Sequence, residues 1–380
     1  MSTLGFTNGR VIIPGGIVPE VRIVLHGDRI ASIKPGGTIG GNSIDLEGGW
    51  LMPGFIDAQV NGGGGVLFND EINVDAIAAI GIAHSRYGTT GFLPTLISDE
   101  LDAVARALDV ADEAIEAGVA GVLGVHLEGP FLNVRRKGIH EEAHFRRLDA
   151  AAIDLLARPR KGIVMVTLAP ELCAPGDIAT LVGAGVRVSA GHSDASYDEM
   201  MAAMDAGLDG VTHLFNAMSP LHHRELGVVG AALDGGRAWC GLIADGAHVH
   251  HAALRIAMRG LPANRLMLVT DAMPSVGAAH KDFVLQGKQI KVWNGMCLDA
   301  EGQLAGSDLD MAQAVRNMVE MAGATPEAAA AMASTNPAAF LRLSGERGAL
   351  APGLRADWVW LDEHFAPRAT WIGGKRTSLN

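Results

Sequence analysis

Hydrophobic and polar positions alternate in blocks along most of the chain. Between residues 51 and 270, short runs rich in Val, Ile and Leu recur, separated by segments whose apolar residues repeat with helical spacing. VDAIAAIGIAHSRY and ELDAVARALDVADEAIEAG are two such segments, and several helical segments end in Gly, as helices often do. The pattern predicts strands at residues 51–60, 91–97, 121–127, 163–168, 186–190, 210–214, 239–244 and 266–270, with helices between them.

Eight strand–helix repeats over this length predict a (β/α)₈ barrel of the TIM type, with a doubly wound open sheet as the alternative. After the eighth strand, residues 282–306 read as a strand-rich insertion. Helical blocks follow at residues 308–322 and 326–343. We therefore expect residues 51–344 to form one barrel domain that carries this insertion.

The two ends of the chain have a different sequence pattern. Residues 1–50 alternate short β-type runs with Gly and Pro turns, and residues 345–380 return to the same pattern around two strand-like segments. No cluster of ligand or nucleophile side chains occurs at either end. We predict that residues 1–50 and 345–380 together build one small β-sandwich domain with a structural role.

Composition narrows the class of protein. The chain has 380 residues, of which 48% are hydrophobic and 19% charged, enough to bury a large core. A formal net charge of −12 argues against nucleic acid or an anionic membrane as a partner and favours a small-molecule substrate. The three cysteines lack a CxxC pair, and the first residues lack a basic stretch followed by a long apolar run. A cytoplasmic location is expected.

Two histidines follow consecutive predicted strands. His192 and His213 come at the ends of the fifth and sixth apolar runs, with a helical segment between them. In a parallel β/α protein the carboxyl ends of the strands meet at one edge, where the chemistry is found. Isolated histidines are common, so the pair by itself supports only a hypothesis of a metal site.

Two carboxylates follow other strands of the same barrel. Glu128 ends the third apolar run, in GVHLEGPF, and Asp271 ends the eighth, in LVTDAM. Barrel closure would bring both to the mouth that holds His192 and His213. One carboxylate and two imidazoles form the three-ligand, open arrangement of a catalytic Zn²⁺ or similar ion. His126, on the same strand face as Glu128, is expected to support a ligand or to fill the barrel.

These residue types indicate hydrolysis of an amide-like bond. A divalent ion would lower the pKa of a bound water and polarise a carbonyl. Asp271, if close to that water, could take its proton and pass it to a leaving amine. The less interesting alternative is that Asp271 caps a helix or a turn.

Several stretches together carry a resemblance to a known family. They are PGFIDAQVNG, GVHLEGPFLN with KGIH, SAGHSDA, THLFNAM, ADGAHV and LVTDAM, and over essentially its whole length the chain resembles the amidohydrolase superfamily. That superfamily often has an HxH pair after the first strand and a bridging lysine after the fourth. Here Gln59-Val60-Asn61 takes the first place, and Lys161 is at the wrong end of the fourth strand. The chain is therefore similar to the single-metal deacetylases of phosphorylated amino sugars.

The resemblance also implies roles for individual residues. The metal ligands match Glu128, His192 and His213, for Zn²⁺ first, with Fe²⁺, Co²⁺ or Mn²⁺ as alternatives, and Asp271 matches the catalytic acid/base. His140 matches a residue near the acetamido group that steadies the developing oxyanion. The residues that would hold the sugar phosphate and hydroxyls are Asn216, the Ala217 backbone, Arg224 and His248. In the family the arginine can reach into the neighbouring subunit's site, which implies a homodimer.

The implied reaction is hydrolysis of N-acetylglucosamine 6-phosphate to glucosamine 6-phosphate and acetate, in amino-sugar catabolism. A related enzyme acting on the galacto epimer, or a dihydroorotase-like enzyme, would keep the barrel and change the pocket. A non-catalytic barrel scaffold is a further alternative. The charged loop NVRRKGIHEEAHFRR, at residues 133–147, is either a solvated surface or a cover over the substrate.

Overall fold

A parallel barrel forms the centre of the computed structural model, which describes residues 2–36 and 43–377. Eight strands lie side by side in chain order, each parallel to the next. The predicted (β/α)₈ architecture is thus confirmed. The strands are β1 (Phe55–Val60), β2 (Thr89–Ile97), β3 (Gly124–Glu128), β4 (Ile163–Leu168), β5 (Arg187–Ala190), β6 (Gly210–Val211), β7 (Trp239–Leu242) and β8 (Leu266–Leu268).

The barrel closes between its last and first strands at their carboxyl ends. The backbone N–H of Asp271 donates to the carbonyl of Gln59 at 3.0 Å, and that of Asn61 donates to the carbonyl of Ala272 at 2.9 Å. Val60 and Ala272 form a parallel bridge at the same point. The residues just after β8 are therefore fixed against the end of β1.

A helix follows each barrel strand. In α2 the buried residues Val104, Ala107, Leu108, Ala111 and Ala114 recur at helical spacing, so one face packs on the barrel. The helices are α1 (Val74–Ser85), α2 (Leu101–Glu116), α3 (Ala150–Leu156), α4 (Pro175–Gly183), α5 (Tyr197–Asp205), α6 (Gly227–Gly235), α7 (His251–Gly260) and α8 (Met311–Glu320), with short 3₁₀ turns at Val134–Arg136, Glu142–His144, Pro170–Leu172 and Ala263–Arg265.

Two predicted elements differ in the structure. The strand predicted at residues 51–60 is divided, because Trp50–Pro53 pairs with a terminal sheet and only Phe55–Val60 enters the barrel. Gly54 lies between them, where a Cβ would collide with the side chain of Thr90. The helical block predicted at residues 326–343 is three segments, α9 (Pro326–Ala330), a π-helix (Ala331–Thr335) and α10 (Asn336–Phe340).

Both ends of the chain contribute to one sheet, as the predicted fold class requires. This sheet contains Lys375–Arg376, Pro367–Ile372, Trp358–Leu361, Trp50–Pro53, Arg10–Ile13 and Gly16–Val18, in that order. A second sheet contains Arg29–Pro35, Val21–His26, Ser2–Thr7 and Ser43–Asp45. Phe6 packs edge-on against Trp358 and Trp371 in the core that these sheets share. The domain boundaries after residues 50 and 344 stay predictions.

Residues between β8 and α8 form a small antiparallel sheet. Its strands are Phe283–Leu285, Lys288–Trp293, Met296–Leu298 and Leu304–Ser307. The neighbouring short hairpin Gly62–Gly63 and Val66–Leu67 leaves the end of β1. Within residues 2–36 and 43–377, no helix is both long and apolar enough to cross a membrane.

Candidate active site

The predicted polar residues lie at the carboxyl end of the barrel. Register places Glu128, the last residue of β3, between Ile97 of β2 and Thr167 of β4. His192 and His213 follow β5 and β6 at the same edge, and Asp271 follows β8. All four line one cavity of about 430 Å³, a volume that suits a small-molecule ligand.

A carboxylate oxygen and two imidazole nitrogens converge inside this cavity. Glu128 Oε1 lies 2.9 Å from His213 Nε2 and 3.2 Å from His192 Nε2, and the two nitrogens are 3.1 Å apart. Tetrahedral ligands about 2.0–2.1 Å from an ion would lie about 3.3 Å from one another. All three side chains are buried. The donor set and its spacing therefore fit a single divalent metal ion.

A backbone contact fixes the tautomer of His192. Its Nδ1 lies 2.9 Å from the carbonyl oxygen of Arg136, which can only accept, so Nδ1 carries the hydrogen and Nε2 presents its lone pair to the cluster. Burial opposes ionisation of Glu128, but its contact with His213 holds the pKa of Glu128 well below the usual range. The centre therefore contains an ionised carboxylate and at least one imidazole prepared to bind a cation.

His140 lies beside this cluster in a different hydrogen-bonding state. Its ligand atoms come within 4.8 Å of those of Glu128 and His192. However, the backbone N–H of Ser98 donates to His140 Nδ1 at 3.3 Å, and the Ser98 hydroxyl lies 2.8 Å from the same nitrogen. Burial lowers the pKa of His140 to about 3, so the ring is neutral and its hydrogen is on Nε2. In this state His140 is a hydrogen-bond donor and not a fourth ligand.

Asp271 is held by two amides from β1 and the residue after it. Its Oδ1 accepts from Asn61 Nδ2 at 2.6 Å and from Gln59 Nε2 at 3.1 Å. Gln59 Nε2 also donates to Glu128 Oε1 at 3.0 Å. Burial and the nearby charge of Glu128 raise the pKa of Asp271 to about 6. A carboxyl group in this condition can both accept and release a proton near neutral pH.

The backbone at these strand ends is left-handed. His192, His213 and Asp271 have φ values of +48°, +33° and +52°, and Phe215 and Ala217 share this conformation. Such values are uncommon for residues other than Gly and tend to occur at functional sites. The conformation ends each strand abruptly and turns the side chain toward the barrel mouth.

His126 lies below the cluster, inside the barrel. Its Nδ1 contacts Thr95 at 3.1 Å and its Nε2 contacts Thr167 at 2.7 Å. Both ring nitrogens therefore have partners, and burial lowers the pKa of His126 to about 4. His126 fills the barrel below the cluster.

The residues predicted to hold the sugar phosphate are divided between two cavities. Asn216, Ala217 and His248 line the cavity that contains the cluster, and Asp245 Oδ2 holds His248 Nδ1 at 2.6 Å. Arg224 is exposed and lines an adjacent cavity of about 690 Å³. The structure thus brings every predicted site residue except Arg224 to one cavity within a single chain.

Several residues of the site could not be assigned from the sequence. Gln59 and Asn61 stand out in the sequence only because they occupy the place of the HxH pair. Their i, i+2 spacing puts them on one strand face, which is the signal that could identify them as a pair in the site. Ser98, Arg136 and Asp245 act from loops, whose positions no periodic pattern encodes. Lys161 precedes β4, at the far end of the barrel from Glu128, and pairs with Glu116.

The chain belongs to the amidohydrolase family, whose model matches residues 50–377. It is 42% identical over 332 residues to an N-acetylgalactosamine-6-phosphate deacetylase of Shewanella sp. (strain ANA-3), covering 87% of this chain and 84% of that one. It is 38% identical to an N-acetylglucosamine-6-phosphate deacetylase of Bos taurus, over 97% of this chain and 94% of that one.

A solved structure has the same fold over its full length. The crystal structure of N-acetylglucosamine-6-phosphate deacetylase from Pasteurella multocida superimposes with a TM-score of 0.95 at 33% identity, covering 99% of this chain and 100% of that one. The barrel, the terminal sheets and the insertion of this chain therefore share the architecture of that solved structure.

Proposed function

We propose that this protein is a metal-dependent deacetylase that hydrolyses the acetamido group of N-acetylglucosamine 6-phosphate, with glucosamine 6-phosphate and acetate as products. The observation that carries the proposal is the convergence of Glu128 Oε1, His192 Nε2 and His213 Nε2 within 3.2 Å of one another, beside Asp271. The names of the similar proteins from Bos taurus and Pasteurella multocida support this substrate.

Glu128, His192 and His213 would hold one divalent ion. Zn²⁺ is the expected metal, with Fe²⁺, Co²⁺ and Mn²⁺ as alternatives. When bound, such an ion lowers the pKa of water and polarises a carbonyl oxygen. His140 stays outside the ligand set because its Nδ1 accepts from Ser98.

The chain supplies the proton transfers. Asn61 and Gln59 donate to Asp271 Oδ1, which leaves the second oxygen of Asp271 to take a proton from water and deliver it to the departing nitrogen. His140, neutral and protonated on Nε2, donates a hydrogen bond to the acetamido oxygen as negative charge develops there. Asp271 and His140 are thus the catalytic residues of the proposal.

Asn216, the Ala217 backbone and His248 would bind the sugar phosphate and hydroxyls from the wall of the same cavity. Arg224, exposed on the adjacent cavity, would bind the phosphate in the site of a second subunit. Its planar fork of donors suits a phosphate group. A homodimer is part of the proposal for this reason. A cytoplasmic location stays a prediction from the cysteine pattern.

A second candidate substrate is N-acetylgalactosamine 6-phosphate. The similar Shewanella protein carries the name of that activity at 42% identity. The two substrates differ only in the direction of one ring hydroxyl, so the same metal and acid/base residues would serve both.

Acetate release from matched substrates tests the proposal on protein whose metal content has been quantified. The panel is N-acetylglucosamine and N-acetylgalactosamine, each with and without 6-phosphate. Dihydroorotate is the ring-opening control, and because its hydrolysis releases no acetate, it is followed by the appearance of the ring-opened product. We expect turnover of the 6-phosphates and a loss of kcat/KM without the phosphate. Equal use of unphosphorylated sugars would refute the phosphate sites, and a protein with neither stoichiometric metal nor acetate release would support a non-catalytic scaffold.

A further inference from the structure

Another cavity opens at the end of the barrel opposite to the candidate active site. Ile163 and Arg187, the first residues of β4 and β5, both line it, whereas the metal-ligand cluster lies where the barrel strands end. The volume of this amino-end cavity is about 410 Å³, close to the 430 Å³ of the active-site cavity. The amino-end cavity is therefore large enough to hold a small molecule.

The lining of the amino-end cavity is strongly basic. Of the described residues that line it, four are arginines and none is aspartate or glutamate. The arginines are Arg158, Arg160, Arg187 and Arg342. The chain as a whole has a formal net charge of −12, so this cluster is a local exception. A cavity lined by one sign of charge raises the local concentration of the opposite sign, here of anions.

Carboxylates outside the lining neutralise only part of this charge. Arg187 Nη1 lies 2.8 Å from Asp209, and Arg160 pairs with two carboxylates of α2. Arg158 and Arg342 are exposed, and in the part of the chain that the structure describes neither forms a salt bridge. The cavity thus keeps a positive charge that an anion could neutralise.

Two of the arginines also have donors without partners. The side chain of Arg187 is 4% exposed, and its Nη1 donates to Asp209 at 2.8 Å and to the carbonyl of Phe340 at 3.2 Å. Its buried Nε has no hydrogen-bond partner, and the same is true of Arg160 Nε. Buried donors are almost always paired with protein, water or an ion. An anion in the cavity would supply the missing acceptors.

Arg342 occupies a backbone position that favours Gly. It is the second residue after α10, its φ is +61°, and the N–H of Leu343 donates to the carbonyl of Ala338 at 2.7 Å. These features define a helix end at which Gly is the usual residue. Backbone geometry therefore does not account for an arginine here, whereas a charge needed in the cavity does.

We propose that the amino-end cavity binds a phosphoryl group, either free or carried by a small molecule, through Arg158, Arg160, Arg187 and Arg342. A planar guanidinium can give two parallel hydrogen bonds to a phosphate. The apolar residues that also line the cavity would contact the carrier. The site shares no residue with the candidate active site, so the inference goes beyond the proposed function and does not depend on it.

Melting temperatures of the metal-loaded protein test the site. Inorganic phosphate, glucose 6-phosphate and glucose are each titrated at constant ionic strength, because salt alone changes the interactions of exposed charges. The main variant is Arg158→Ala/Arg342→Gly, which leaves the buried pair of Arg187 and Asp209 in place. Phosphate at the candidate active site contributes to the parent and the variant alike, so the difference between them reports on the amino-end cavity.

A control variant removes the same number of charges elsewhere. Arg22→Ala/Arg368→Ala takes two exposed arginines from the terminal sheets. For every protein, kcat and KM for the 6-phosphate are measured without added phosphate. Parental values are expected in both variants, because neither changes a residue of the candidate active site, and they show that each variant is folded.

Inorganic phosphate should raise the melting temperature of the parent, as expected for a ligand that binds the folded state. The main variant should bind phosphate about 10- to 100-fold more weakly, because it loses hydrogen bonds to a charged group. Its melting temperature should therefore rise less at each phosphate concentration. The control should match the parent, and glucose should act equally on all three proteins.

A parent without a phosphate-dependent shift would overturn the proposal, and so would a shift of parental size in the main variant. The second result would assign Arg158 and Arg342 to the carbonyl groups at the ends of α3 and α10, which favour nearby positive charge. A shift reduced equally in the control would also overturn the proposal, because binding would then depend on net charge alone.

The two phosphate probes distinguish the sources of the phosphoryl group. A greater loss of affinity for glucose 6-phosphate than for inorganic phosphate in the main variant would support a phosphate carried by a small molecule. An equal or smaller loss would support free phosphate as the ligand.

Discussion

The imidazole of His192 donates through Nδ1 to the backbone carbonyl of Arg136, at 2.9 Å. Arg136 is the last residue of the short turn Val134–Arg136 in the charged loop. Its guanidinium also pairs with Asp194 at 2.8 Å, two residues after His192. Two contacts thus connect the charged loop to the segment that carries the predicted metal ligand, one through His192 and one through Asp194.

Removing one of these contacts should loosen the metal site. Arg136→Ala breaks the pair with Asp194, so His192 loses a firmly held acceptor, and Zn²⁺ affinity measured by chelator competition should fall by up to about tenfold. Arg135→Ala is the matched control. Arg135 also pairs with Asp194, but at 3.4 Å from a side chain that is 78% exposed, and such a surface pair contributes little. Equal losses in both variants would contradict the link between loop and ligand.

Replacing a proposed ligand should abolish ion binding. His192→Gln removes a nitrogen from the cluster, so metal content after gel filtration should fall from one ion per chain to near zero. His126→Gln is the comparison, because His126 is equally buried and its ring is occupied by Thr95 and Thr167. It should melt at a lower temperature yet keep its ion. Loss of metal from both variants alike would show that ion content reports on folding and not on ligation.

Asp271→Asn should separate chemistry from metal binding. The amide keeps the size of the side chain but cannot take a proton, so kcat should fall about 10²- to 10⁴-fold, the usual contribution of an acid/base group. Metal content should match the parent. Asp154→Asn, at an exposed position of α3, should leave kcat unchanged. Substantial turnover by Asp271→Asn would assign the proton transfer to another residue.

Mixed dimers should reveal where Arg224 acts. Arg224→Ala and Asp271→Asn are each expected to be nearly inactive at low concentrations of the 6-phosphate. If Arg224 serves the neighbouring site, a dimer of one Arg224→Ala chain and one Asp271→Asn chain has one intact site out of two. Half of randomly mixed dimers are of this kind, so activity should recover to about a quarter of that of the parent. No recovery after verified subunit exchange would place Arg224 outside the partner's site.

Asp57 should make stability depend on pH. It is buried in the barrel beside Thr270, and burial raises its pKa from 3.8 to about 7. Between these values the folded protein binds more protons than the unfolded chain, so the stability present below about pH 4 is lost as the pH rises toward 7. The difference is on the order of a few kcal/mol.

Melting temperatures across this pH range check the effect. Relative to Asp57→Asn, which cannot ionise, the parent should become progressively less stable from pH 4 to pH 7. The melting temperature of Asp102→Asn, at an exposed position of α2, should change with pH in the same way as that of the parent. A difference in melting temperature between the parent and Asp57→Asn that does not change with pH would show that Asp57 keeps the same charge on unfolding.

The barrel and the main cluster could be predicted because both depend on periodic signals. Continuous apolar runs mark strands buried on both faces, and a polar residue directly after such a run lies at the functional edge. Glu128, His192, His213 and Asp271 all follow this rule. The prediction of one strand at residues 51–60 is wrong, because an apolar run does not indicate which sheet a strand joins.

The supporting contacts were harder to predict. The tautomer of His192 depends on the Arg136 carbonyl, and that of His140 on the Ser98 amide. Both are loop backbone groups, which nearly every residue type at those positions would supply. The proposed role of Arg224 would also require a second chain, which a single sequence does not describe.

Barrel closure is required for the proposed activity. Asp271 occupies its place because its backbone N–H pairs with the Gln59 carbonyl, so the proposed proton shuttle forms only where the last strand meets the first. If Glu128, His192 and His213 come together before the last strand closes the barrel, a refolding chain would bind an ion before it can turn over substrate. The delay between metal uptake and acetate release during refolding should therefore time the final step of barrel assembly, without any added probe.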